Sequence, residues 1–211
     1  MFRIVALFIA SVSLASAQSA VKQNEEALKL MDQEKYENAL ELLNPLVSAE
    51  PGSTTYRYNR AVCFFNLEKY KEAISDYSIL AKAIPDESEY LFQTGNAFDH
   101  LDSLDQAIYY FSKAILVDDA QPTYHFKRGT AYLKQKKWDR AIYDFTNAIK
   151  LDPEYHNAYH NRGIAVYKKG DSVKACEDWC KAVQLGNPIS SSHLEKNCKV
   201  YPKSCSQLND N

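Results

Sequence analysis

Residues 122–155 read PTYHFKRGTAYLKQKKWDRAIYDFTNAIKLDPEY, and this stretch decides the fold. His125, Arg128, Gly129 and Tyr132 fall on one stripe of a first helix, and Ala141, Phe145, Ala148 and Ile149 on one stripe of a second. Lys136-Lys137 interrupts the pattern between them, and Pro153 stops the second helix before anything further can extend it. The stretch is therefore a pair of short antiparallel helices.

The pattern recurs on both sides at intervals of 34 residues. Alanine stands at 39, 73, 107, 141 and 175; taking it as position 20 of a unit, position 24 holds Leu43, Tyr77, Phe111, Phe145 and Trp179. Position 11 holds Leu30, Phe64, Phe98, Tyr132 and Val166, and position 8 holds Ala27, Ala61, Gly95, Gly129 and Gly163. Small residues at 8 and 20 let two helix backbones approach closely, and the large ones at 11 and 24 fill the flanking space. One helical pair cannot hide its apolar face, whereas a stack of pairs can. A fixed period of this length predicts an all-α repeat array.

These residues resemble the tetratricopeptide repeat (TPR) family over residues 20–189, as five units at 20–53, 54–87, 88–121, 122–155 and 156–189. The first unit lacks the aromatic start and has Ala27 where glycine is usual. Asp119 and Asn187 stand where proline is expected in the third and fifth. The ending Ala175-Cys176-Glu177-Asp178-Trp179, followed by Leu185-Gly186-Asn187, resembles the last repeat of TPR proteins exported by Gram-negative bacteria. The resemblance implies a right-handed superhelical solenoid whose first helices line a concave groove for a segment of another protein. Carried onto this sequence, the groove residues are Tyr58, Phe65, Phe92, Asn96, Phe126, Thr130, His160 and Tyr167, with an aromatic column at position 5. Chaperone-binding members hold a C-terminal carboxylate with cations at groove positions; here those positions carry Asn24, Leu28, Asn59, Glu89 and Gln93 in one frame. The next frame has Tyr58, Val62, Gln93, Thr123 and Lys127. That subclass is not expected.

The units also serve as an alignment of the chain with itself. Position 7 reads Glu26, Arg60, Thr94, Arg128 and Arg162, while position 23 reads Leu42, Asp76, Tyr110, Asp144 and Asp178. Arginine occurs at 7 only where aspartate occurs at 23. The correlation predicts Arg60–Asp76, Arg128–Asp144 and Arg162–Asp178 pairs that orient the two helices of a unit more than they add net stability.

Five cysteines divide unevenly. Cys63 occupies a position that is alanine in the next three units, so it reads as a buried free thiol. Cys176 and Cys180 lie one turn apart and cannot bond to each other without distorting their helix. Residues 190–211 are expected to hold a short capping helix over Ser191–Lys199, begun by a serine cap, and a cysteine-bearing tail. In an oxidising compartment the expected pairing is Cys176 with Cys198 and Cys180 with Cys205, one of three connectivities that four cysteines allow.

At the N-terminus, Arg3, the apolar stretch IVALFIASVSL at 4–14 and Ala15-Ser16-Ala17 read as a signal peptide over 1–17, too short to span a bilayer. The chain is therefore expected to be exported, to a periplasm or the outside, or to the endoplasmic reticulum lumen in a eukaryote. Formal net charge is −2, with acids and bases mixed along the chain, so no nucleic acid is expected as a partner. No membrane span is expected once the signal is removed. There is no phosphate loop, nucleophile elbow or zincin motif. His156 and His160 lie one turn apart on what reads as a polar helix, without a third ligand, so no metal or other cofactor is expected. The sequence points to a non-enzymatic adaptor that binds a peptide segment. Its alternatives are a permanent structural subunit docked through its outer face or ends, and a redox or metal protein using the C-terminal cysteines.

Overall fold

The computed structural model describes residues 18–198 and Cys205. The expected signal segment at 1–17 lies outside the described residues, as does the tail after Cys198 apart from Cys205. All regular structure among the described residues is helical. Helix α1 covers residues 18–32, followed by α2 (Tyr36–Ala49), α3 (Thr54–Asn66), α4 (Tyr70–Ala83), α5 (Ser88–His100) and α6 (Leu104–Val117). Then come α7 (Pro122–Lys134), α8 (Trp138–Leu151), α9 (His156–Lys168), α10 (Ser172–Gln184) and α11 (Ile189–Asn197). The odd-numbered helices α1 to α9 are the first helices of the five units and the even-numbered ones the second. The chain divides into two compact units, Met1–Pro85 and Asp86–Asn211; α1–α4 belong to the former and α5–α11 to the latter.

The break inside each repeat is built the same way five times. Glu34, Glu68, Asp102, Lys136 and Gly170, all at position 15, have positive φ of 58°, 58°, 53°, 58° and 96°. The next amide closes back on the first helix: Lys35, Lys69, Ser103, Lys137 and Asp171 donate to the carbonyls of Leu30, Phe64, Phe98, Tyr132 and Val166 at 2.8–3.3 Å. This is the left-handed stop that usually selects glycine. Four non-glycine residues bear its steric cost, about 1 kcal/mol each, offset by the carbonyls it satisfies. Ends elsewhere use ordinary devices. Ser53 Oγ accepts from the Tyr56 amide before α3, Asp171 Oδ1 from the Lys174 amide before α10, and Pro122 opens α7.

The core follows the repeat positions. Ala39, Ala73, Ala107, Ala141 and Ala175 are fully buried, and Leu43, Tyr77, Phe111, Phe145 and Trp179 are at most 1 % exposed. Glycine at position 8 is required by contact. A Cβ on Gly95 would come within 2.7 Å of the Phe111 ring, on Gly129 within 2.9 Å of Phe145, and on Gly163 within 2.6 Å of Trp179 Nε1. At these three glycines the second-helix aromatic packs directly against the first helix, which sets how closely each pair can pack.

The capping helix differs from expectation at its start. It begins at Ile189, two residues early, and no serine side chain caps it. Asn187 does that work: its Oδ1 accepts from the Ser190 amide at 3.1 Å, and its Nδ2 donates to Asn157 Oδ1 at 2.9 Å. Asn187, which replaces the usual proline, therefore ties the chain back to α9.

Candidate functional site

Each of the three arginines meets its aspartate with two hydrogen bonds. Arg60 Nε and Nη2 donate to Asp76 at 2.7 and 2.8 Å, Arg128 to Asp144 at 2.8 and 2.7 Å, and Arg162 to Asp178 at 2.9 and 2.6 Å. The remaining Nη1 reaches the second helix of the preceding repeat, donating to Asn44 (3.5 Å), Ser112 (3.1 Å) and Thr146 (3.2 Å). One side chain thus binds its own repeat and the one before it, a bridge the sequence correlation did not reveal. Burial opposes the charge on Arg128, yet Asp144 holds its pKa above the ordinary value. At Asp178 burial wins and pushes the carboxyl up against the opposing pull of Arg162. That pair orients more than it stabilises. The third repeat does without a pair: Thr94 turns its hydroxyl to the Tyr90 carbonyl (2.7 Å), and Tyr110 stacks on Phe98 with centroids 5.5 Å apart.

The side chains expected to line the groove divide into two sets. Tyr58, Phe65, Phe126 and Thr130 are half-buried, and Tyr167 is exposed. Phe92, Asn96 and His160 are buried, which corrects the picture of an open aromatic column at position 5. Phe92 packs against Tyr124 at 4.5 Å and Phe111 at 5.7 Å, and Phe126 leans on Tyr155 at 4.9 Å. Phe92 therefore sits in a joint with the following repeat, and Phe126 is covered by the residue just before α9. What stays open on the first helices lies at positions 9 and 12: Leu28, 40 % exposed, with Met31 and Val62 in the former unit, and Thr130, Leu133, Ile164 and Tyr167 in the latter. Lys134 and Asp99, bonded at 2.6 Å, add a polar bridge between α7 and α5.

His160 is covered by the protein itself. Its Nδ1 shares a 2.7 Å hydrogen bond with the fully buried Ser190 Oγ, and the His193 ring stands 5.3 Å from it while stacking on Trp179 at 4.8 Å. The polar-surface reading of His160 is replaced by a buried contact beneath α11. The same end is stapled by disulfides Cys176–Cys198 and Cys180–Cys205, with Cα separations of 5.9 and 5.6 Å. Cys63 is a buried free thiol whose pKa burial raises to about 11. Among the described residues no group of three or more His, Cys, Asp or Glu side chains could hold a metal ion, and no helix is long and apolar enough to cross a membrane.

The second helices of the latter unit carry exposed apolar side chains of their own: Tyr109 at 57 %, Leu116 at 81 % and Tyr143 at 65 % exposed. Tyr132, Tyr143, Asp139 and Arg140 line a shallow cleft of about 290 Å³ above the Arg128–Asp144 pair.

Family models described as tetratricopeptide repeat and TPR repeat match residues 24–88 and 66–125, and residues 129–170, respectively. Among solved structures, YrrB, titled "a TPR protein with an unusual peptide-binding site", is 20% identical, with 89% of this chain and 97% of that one covered at a TM-score of 0.74. MamA from Desulfovibrio magneticus RS-1 is 19% identical, with 79% and 94% covered and a TM-score of 0.75. The Thermus thermophilus TPR protein TTC0263 is 16% identical, with 83% and 96% covered at 0.60. A comparison with curated proteins finds no match.

Proposed function

We propose that this chain, which belongs to the tetratricopeptide repeat family, is a non-enzymatic adaptor of the cell envelope that holds a segment of another protein against its first helices. The observation that carries the reading is the open set at positions 9 and 12. Leu28 and Tyr167 keep 40 % and 37 % of their surface, and Val62, Thr130, Leu133 and Ile164 stay half-buried, while positions 8 and 20 of the same repeats are closed. Apolar side chains recurring in register on exposed helix faces suit an extended or helical peptide. The peptide-binding site in the printed title of YrrB is consistent with that use. Two disulfides at the end of the array and the signal-like N-terminus support export to an oxidising compartment.

The second reading, a permanent subunit docked through its outer face, draws on Tyr109, Leu116 and Tyr143. Affinity capture from an envelope fraction separates the two. Leu28→Glu with Val62→Glu, or Thr130→Glu with Tyr167→Glu, is expected to lower partner recovery at least about tenfold, the loss of one well-packed contact. Tyr109→Glu with Tyr143→Glu should leave recovery intact. The reverse pattern, with circular dichroism showing all variants folded, would establish the outer face as the interface.

A further inference from the structure

Helix α11 occupies the place that the first helix of a sixth repeat would take. His193 and Leu194 fall at positions 4 and 5 of that missing unit, and Leu194 and Cys198 pack against the Val166–Ala175–Trp179 core. A nine-residue helix is too short to persist by itself, so its place depends on what holds it. Three kinds of contact do so. The disulfides tether its C-terminal end. Asn187 and Ser190 fix its start, with Ser190 Oγ donating to Asn187 Oδ1 at 3.2 Å. Between these, two imidazoles meet: buried His160 from α9 and half-buried His193 from α11, the latter flat against Trp179.

We propose that α11 is an acid-released cap: neutral His160 and His193 hold it on the end of the array, against α10 and the His160 side of α9, and their protonation undocks it and bares His160, Trp179 and the apolar seat beneath it. Two imidazolium ions at this separation repel each other, and His160, the buried member of the pair, would also lose hydration. Burial already pushes both groups below their ordinary value of 6.5, with His193 adding to the effect on His160 and Lys196 to the effect on His193. The surroundings offer little compensation. On α9 the other ionisable groups nearby are His156, Tyr159 and Arg162; on α10, Asp178 is taken up by Arg162; on α11, Glu195 is exposed and Lys196 is cationic. A pKa lowered by docking means that docking is fully stabilised above about 6.5 and weakens as pH falls below it. The disulfides keep the released helix tethered, so the change is reversible. The release goes beyond the binding face proposed above, whose Ile164 and Tyr167 are accessible with α11 in place.

The test uses the full disulfide-bonded chain with Trp138→Phe, which leaves Trp179 as its one tryptophan. Emission wavelength and acrylamide access are read from about pH 7.5 to about pH 5; intensity is set aside because an imidazolium stacked on indole quenches it without any movement. The expected result is a reversible red shift with increased acrylamide quenching below pH 6.5. Adding His193→Phe, which keeps a ring on Trp179 but cannot titrate, should hold the blue, protected emission throughout. A parent that stays protected to pH 5, or a His193→Phe variant that opens as the parent does, overturns the cap. Because the readout needs no partner, it can succeed or fail independently of the proposed binding face.

Discussion

Replacing Arg128 with leucine is expected to lower the unfolding free energy by about 3–5 kcal/mol, among the largest losses available to a single substitution in this chain. Asp144 is fully buried, and both carboxylate oxygens are taken by Arg128. Without the guanidinium, an ionised carboxylate is left buried, with the His125 ring 3.7 Å away. The bridge to Ser112 in the preceding repeat is lost as well. Urea denaturation gives the number. Two companions show whether the mechanism is right. Arg60→Leu should cost clearly less, because Arg57 Nη1 still donates to Asp76 at 2.9 Å. Arg128→Met combined with Asp144→Leu should recover most of the loss, since an apolar pair leaves no charge stranded. The third repeat already lives with such an exchange at Thr94 and Tyr110.

Trp179→Ala is expected to cost a further about 3–5 kcal/mol in its own right, the usual range for emptying a large aromatic site. Trp179 is 1 % exposed, lies against the Gly163 backbone, donates to the His160 carbonyl at 3.2 Å and carries the His193 ring on its other face. Its removal therefore strips both the last repeat and the seat of α11. Calorimetry should show the transition lowered, with proteolysis starting in residues 189–198. Gly163→Ala makes the complementary point: helix propensity alone would raise stability by about 1 kcal/mol, yet the new methyl group would meet the indole, so a loss is expected.

The sequence exposed much of the fold because its signal is repeated five times. Alanine at 39, 73, 107, 141 and 175 and the large apolar side chain four residues on, aromatic in all but the first repeat, fix which faces meet. The Arg–Asp correlation was legible for the same reason, since the third repeat loses both members together. For the cysteines, helix geometry excluded only a Cys176–Cys180 bond; it did not choose between the two connectivities left, of which the structure has Cys176–Cys198 with Cys180–Cys205. The binding face was harder. Periodicity places Phe92 on a stripe but says nothing of depth, which is set by Tyr124 arriving from the next repeat at 4.5 Å. His160 was misread because its cover comes from beyond the array, through Ser190 and His193, where no repeat register applies. A hint stood in the sequence: histidine replaces the aromatic at position 5 only in the last repeat, where the following helix is polar. The break at Lys136-Lys137 was legible, but the left-handed backbone at Glu34, Glu68, Asp102 and Lys136 was not, because glycine, the residue that usually marks such a stop, stands at this position only as Gly170.

The most direct test of the first-helix face as the binding surface is position-resolved photo-crosslinking in the native envelope. A photoreactive residue is placed in turn at Leu28 and Thr130 on first helices, and at Tyr109 and Tyr143 on second helices. Crosslinks to one protein from Leu28 or Thr130, and none from Tyr109 and Tyr143, are expected. Crosslinks from the tyrosine positions alone would contradict the account.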